Sequence, residues 1–114
     1  ELAPRGIGHG VRSLESPATL ERLAAAGVTL EVCPTSNHLL INAEVAAIER
    51  AHRAAPLPAL QRAGVHCVLG SDDPTPMGTS FRRELEVARG LGVDLALLEA
   101  DARRRWTEMT GQVL

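Results

Sequence analysis

An α/β fold with parallel strands is what this sequence predicts, and three observations carry the prediction. The outline Leu20-Glu21-Arg22-Leu23-Ala24-Ala25-Ala26-Gly27-Val28 returns as Leu57-Pro58-Ala59-Leu60-Gln61-Arg62-Ala63-Gly64-Val65. In each copy a Leu pair at helical spacing leads into Ala-Gly and then a short β-branched run, which is the grammar of a βα unit. Strand-like runs and amphipathic stripes alternate along the chain, as parallel pairing through right-handed crossovers requires. Finally, the apolar run Val65–Leu69 ends in Gly70-Ser71-Asp72-Asp73-Pro74. Pro74 cannot continue a strand, so the two acids belong to its C-terminal end, where α/β proteins build sites.

Each element has its own local reason. Gly6-Ile7-Gly8 is a short strand that stops at His9-Gly10. Ser16 caps a helix whose first residue is Pro17 and which runs to about Ala26. Gly27 and Gly64 fit the position just past a helix, where a left-handed backbone is needed and a Cβ would clash. Val28-Thr29-Leu30-Glu31-Val32 and Val65-His66-Cys67-Val68-Leu69 follow as strands. Between them lie a Cys33-Pro34-Thr35-Ser36-Asn37 loop, a helix capped by Asn42 with Val45, Ile48 and Ala51 in register, and the helix of the second repeat copy. Phe81, Leu85, Ala88 and Leu91 form a third apolar stripe. Leu95, Leu98, Ala102, Trp106 and Met109 form a fourth, capped by Asp94, and both stripes are expected to face the core. The order is β-α-β-(loop, α, α)-β-α-α. Three strands leave two unpaired edges, and a complete (β/α)₈ barrel takes about 250 residues. The expectation is therefore a part of such a barrel.

Composition narrows the class. A hydrophobic content of 45% suffices for a core, and the length is that of one domain. A formal charge of −2, one Phe, one Trp and no Tyr offer neither a basic footprint nor a stacking platform, so nucleic acid and anionic membranes are not expected partners. No run approaches the roughly 20 apolar residues of a membrane span, and no secretory signal pattern opens the chain. Cys33 and Cys67 lack CxxC spacing and read as buried, inert thiols in a reducing, cytoplasmic setting. Arg103-Arg104-Arg105 reads as a solvated helix face. His38 in its loop, His52 on its helix and His66 on its strand read as surface or packing residues.

Parallel strands place His9, the Cys33–Asn37 loop and Asp72-Asp73 on one side of the sheet. By the repeat, Ser36 occupies the place of Asp73. Imidazole and carboxylate both ligate zinc, which generates a nucleophilic hydroxide near neutral pH, but a catalytic zinc takes three or more protein ligands. This chain offers one convincing carboxylate and one well-placed His. Two plainer alternatives stand beside that reading: solvated acids in an Asx-type turn, and a His buried at a glycine-lined bend. The Gly6–Gly10 pattern fails as a dinucleotide fingerprint, because its third Gly falls early and no helix opens from it.

Three blocks in order, Gly8-His9-Gly10-Val11-Arg12-Ser13-Leu14, Leu30-Glu31-Val32-Cys33-Pro34-Thr35-Ser36-Asn37, and Ser71-Asp72-Asp73-Pro74 with Gly78-Thr79-Ser80, resemble the adenosine/adenine deaminase family of zinc hydrolases. The resemblance spans nearly the whole chain. It implies that residues 1–114 are the C-terminal part of a TIM-type (β/α)₈ barrel, with strands six to eight and the helices after them. It further implies that Asp72 ligates Zn²⁺, that Asp73 hydrogen-bonds the purine ring, and that His9 orients the attacking hydroxide. The reaction would be hydrolytic deamination of a 6-aminopurine to the 6-oxopurine and ammonia, with adenosine, adenine or 6-aminodeoxyfutalosine as substrate. The family's HxH, its further His and its proton-donating Glu have no counterpart here, so the missing N-terminal barrel half is an expected partner and the isolated chain is expected to be inactive. Gly6 stands where the family has Arg, Gly70 where it has Asn, and Ala55 where it has His. An inactive relic or a non-catalytic binding module is the alternative.

Overall fold

The computed structural model describes residues 3–40 and 55–114. Its elements are β1 (Gly6–Gly8), a 3₁₀ turn (Val11–Glu15), α1 (Pro17–Ala25), β2 (Thr29–Val32), α2 (Pro34–Leu40), α3 (Pro56–Arg62), β3 (His66–Leu69), α4 (Pro74–Met77), α5 (Phe81–Gly90) and α6 (Leu95–Thr110). The strands form one parallel sheet in the order β1-β2-β3, with Gly6 beside Thr29 and Thr29 beside His66. The chain is thus an α/β protein, as its periodicities predict.

The repeat has a physical cause at its seam. Ser16 accepts the Thr19 N–H at the start of α1, ahead of Pro17. At the far end Gly27 takes φ 64° and the Val28 N–H returns to the Leu23 carbonyl. The second copy does the same, with Gly64 at φ 76° and the Val65 N–H on the Leu60 carbonyl. Both helices therefore end in the same left-handed wrap, which closes the orphan carbonyls and aims the chain into the next strand.

Side-chain alternation divides the sheet. Leu30, Val32 and Cys67 point into the main core, with Leu57 and Leu60 of α3 and Val11 and Leu14 of the 3₁₀ turn. Thr29, Glu31 and Val68 point the other way, toward Ala102, Arg105 and Trp106 of α6. Leu98 joins the main core near the start of α6, so this 16-residue helix begins at one layer and crosses to the other.

Four expectations change. The Cys33–Asn37 stretch is not a loop: Pro34 starts α2, the Asn37 N–H bonds the Cys33 carbonyl at 2.9 Å, and His38 is helical too. The arginine run is not a solvated face. Arg103 is exposed and pairs with Glu99, but Arg104 donates to Thr29 Oγ1 at 2.7 Å and Arg105 lies over Gly6, where a Cβ would come within 2.6 Å of its guanidinium. His66 is more than packing, since it is bonded to Asp101. Finally, Phe81, Leu85 and Leu91 are exposed, and the buried arc of α5 runs through Glu84 and Ala88. In α6, likewise, Leu98 is buried while Trp106 and Met109 are exposed. The helix expected to follow Asn42, with Val45, Ile48, Ala51 and His52, lies outside the described residues. Among the described residues, no helix is long and apolar enough to cross a membrane.

Candidate active site

Among the described residues only two non-glycines have positive φ: His9 at 58° and Asp72 at 51°. A left-handed backbone costs an ordinary L-residue about 1–2 kcal/mol, somewhat less for Asp. Such strain persists only where surrounding structure enforces it, and it clusters at functional positions. At His9 the enforcing contacts are visible. Its N–H is held by the Glu31 carbonyl at 2.7 Å. Gly10, at φ 69°, packs so closely on Leu30 that a Cβ there would lie 2.9 Å from Leu30 Cδ2.

The two strained residues follow the two outer strands, and α2, rising from the central strand, sits between them. His9 Nδ1 stands 2.8 Å from Asn37 Oδ1. An amide oxygen only accepts, so Nδ1 carries a proton, and in the neutral ring Nε2 is the nitrogen with the free lone pair. That Nε2 faces Asp72 Oδ2 at 3.8 Å, and the same Oδ2 accepts the Ser36 hydroxyl at 2.6 Å. Ser36 and Asn37 are buried in the first turn of α2 and were not singled out as site residues by the sequence; their place in the CPTSN block was the available signal. Asp73 is exposed at the start of α4 and makes no capping hydrogen bond with its side chain. The structure thus brings His9 and Asp72 together and leaves Asp73 beside them on the same rim.

One thiol, Cys33, borders this geometry, and a second, Cys67, lies in the core. Burial, with the nearby charges of Glu31 and Asp72, pushes the Cys33 thiol up to about 11. Burial and the charge of Asp101 push Cys67 up to about 12. Both are free and stay protonated near neutrality, which suits packing and disfavours nucleophilic roles. Behind the rim Gly70 leaves no room for a side chain: a Cβ would lie 2.8 Å from Cys33 Sγ and 2.9 Å from Glu31 Oε1.

A lone-pair nitrogen and a carboxylate oxygen facing each other at 3.8 Å repel unless a proton or cation lies between or beside them. The donor types therefore suit a divalent metal of the zinc kind. The set is nevertheless incomplete: among the described residues no three His, Cys, Asp or Glu side chains converge as a metal site.

With this geometry in place, comparison with known proteins adds its own result. The family model described as adenosine deaminase matches residues 1–101. An adenine deaminase of Mesorhizobium japonicum is 42% identical over 87 residues, covering 76% of this chain and 25% of the relative. An adenine deaminase of Chelativorans sp. is 43% identical over 100 residues, covering 87% and 29%. An aminodeoxyfutalosine deaminase of Acidothermus cellulolyticus is 39% identical over 97 residues, covering 85% and 26%. The chain spans about a quarter of the length of the curated relatives it matches.

Proposed function

The chain belongs to the adenosine deaminase family, and on that premise we propose that residues 1–114 supply strands six to eight and the C-terminal helices of a (β/α)₈ purine deaminase. The reaction is hydrolytic deamination of a 6-aminopurine: a water oxygen bonds to C6, the C6–N bond breaks, and ammonia leaves the 6-oxopurine. Relatives named for adenine and for aminodeoxyfutalosine support this substrate class and make adenine the first compound to test.

The single observation that carries the reading is the strained convergence of His9 and Asp72 on one rim, with Asp73 beside them. Asp72 would hold zinc together with ligands from polypeptide outside this chain. When bound, the metal lowers the pKa of a water toward neutrality. His9 accepts a hydrogen bond at Nε2 and orients the attacking oxygen, because Asn37 fixes its proton on Nδ1. Ser36 holds one oxygen of Asp72 and so fixes the direction of the other. Asp73 accepts a hydrogen bond from the purine ring. The proton for N1 comes from a group these residues do not include. Two buried, free thiols are in keeping with a reducing cytoplasmic setting.

One observation favours a second reading, a self-contained non-catalytic module. In a closed barrel the face bearing Thr29, Glu31 and Val68 would look onto the other strands, yet here α6 lies across it. Zinc and adenine, supplied to the 114-residue chain alone and then together with the upstream barrel half of a relative, separate the two. The expected result is ammonia release only in the complemented sample. Release by the chain alone would overturn the shared-site reading, and none in either sample would favour the module.

A further inference from the structure

The largest departure from expectation among buried side chains is Glu84, a carboxylate with 0% exposure in the first turn of α5. Burying a charge costs several kcal/mol unless its oxygens are fully engaged, so an apolar residue would be the simpler occupant of this arc. Both oxygens are engaged, and by different segments. Oε2 accepts the Thr35 N–H at 3.1 Å, an orphan donor of the first turn of α2. Oε1 accepts the Thr79 hydroxyl, on the segment that leaves Asp72-Asp73. The residues following Thr35 are Ser36, which holds Asp72, and Asn37, which holds His9.

We propose that Glu84 is a positioning residue for the deaminase site: it ties the start of α2 to the Asp72–Thr79 segment, and through Ser36 and Asn37 sets the separation and tautomer of His9 and Asp72. The proposal rests on the deaminase reading for its purpose, but its geometry can be read without substrate or zinc.

The test is nitrogen-15 NMR of the full 114-residue chain at one fixed pH, comparing Glu84→Gln, Glu84→Asp and Thr79→Val. In Glu84→Gln the Thr35 amide is expected to exchange at least about tenfold faster as its charge-assisted bond is lost. The Asn37 side-chain amide should shift, and the His9 ring nitrogens should move toward a mixture of tautomers. Glu84→Asp, which keeps the charge, should recover part of the change. A helix cap of purely structural role would alter Thr35 and the melting point alone; unchanged His9 and Asn37 signals would therefore overturn the proposal. Should Glu84→Gln unfold, Thr79→Val decides, because it removes only the hydroxyl: smaller shifts at His9 and Asn37 support the proposal, and none overturn it. A wild-type chain without a protected Thr35 amide overturns it as well.

Discussion

Two His–Asp pairs occupy opposite ends of this sheet, and they are built on different terms. His66 and Asp101 meet at 2.6 Å from regular elements, a strand and a helix, and the Asp101 side chain is 5% exposed. Its second oxygen accepts the Cys67 N–H at 2.9 Å, a donor on the outer edge of β3, opposite the edge paired with β2. His9 and Asp72 stand 3.8 Å apart on strained backbone, and the Asp72 side chain is 29% exposed. The first pair is closed and satisfied, and it locks α6 to the sheet. The second is held apart by its own supports, Asn37 and Ser36, and leaves coordination unspent. The short contact ties elements together, and the longer, propped one is the pair proposed above for chemistry.

Substitutions at the two ends should differ in size. The largest effect is expected for Asp101→Ala, which strands a buried Cys67 N–H and removes the His66 bond together; about 2–4 kcal/mol should be lost in urea unfolding. Asp72→Ala should cost clearly less, and equal losses would erase the distinction. Gly70→Ala, behind the rim, should cost about 1–3 kcal/mol by overpacking against Cys33. His9→Gly should change stability little, since relief of strain at φ 58° offsets the loss of the Asn37 bond, while His66→Gly on its strand should clearly destabilise.

A last effect is set by pH and compares the thiol of the rim with that of the interior. All 12 basic residues are Arg and there is no Tyr, so among the side chains only Cys33 and Cys67 ionise between about pH 9 and 12. Unfolded thiols titrate near 9.0, the folded ones at about 11 and about 12. Above pH 9 the unfolded chain loses protons first, so stability is full below that point and falls as pH rises through the folded values. Urea midpoints at pH 8 and pH 10 should show the fall, and Cys33→Ala should reduce it. A flat profile would mean the thiols are not buried as described.

What the sequence made legible was whatever is written locally. Ser16-Pro17, the paired Leu-to-Gly endings, the strand alternation and the acids before Pro74 each fix backbone within a few residues, and each appears in the fold. The rest depends on partners far along the chain. Pro34-Thr35-Ser36-Asn37 has the composition of a loop, yet the α2 N-terminus is secured by Glu84, which sits 49 positions away in sequence. Glu84 itself, among Arg82, Arg83 and Glu86, has the appearance of one more solvated charge. Arg104 and Arg105 look equally solvated until Thr29 and Gly6 come under them. For the rim, position was readable from strand ends; the props that hold it were not.

The left-handed backbone at His9 and Asp72 has a consequence for descent. Residues that tolerate this conformation include Asn, Asp and Gly. The Asp codons lie one base from those of Asn and Gly, and the His codons lie one base from those of Asn and Asp. Single-base routes at both positions thus include residues that keep the bend and remove the imidazole or the carboxylate. On the proposed reading of the rim, a lineage can lose its activity by a single nucleotide while its descendants keep the same bend.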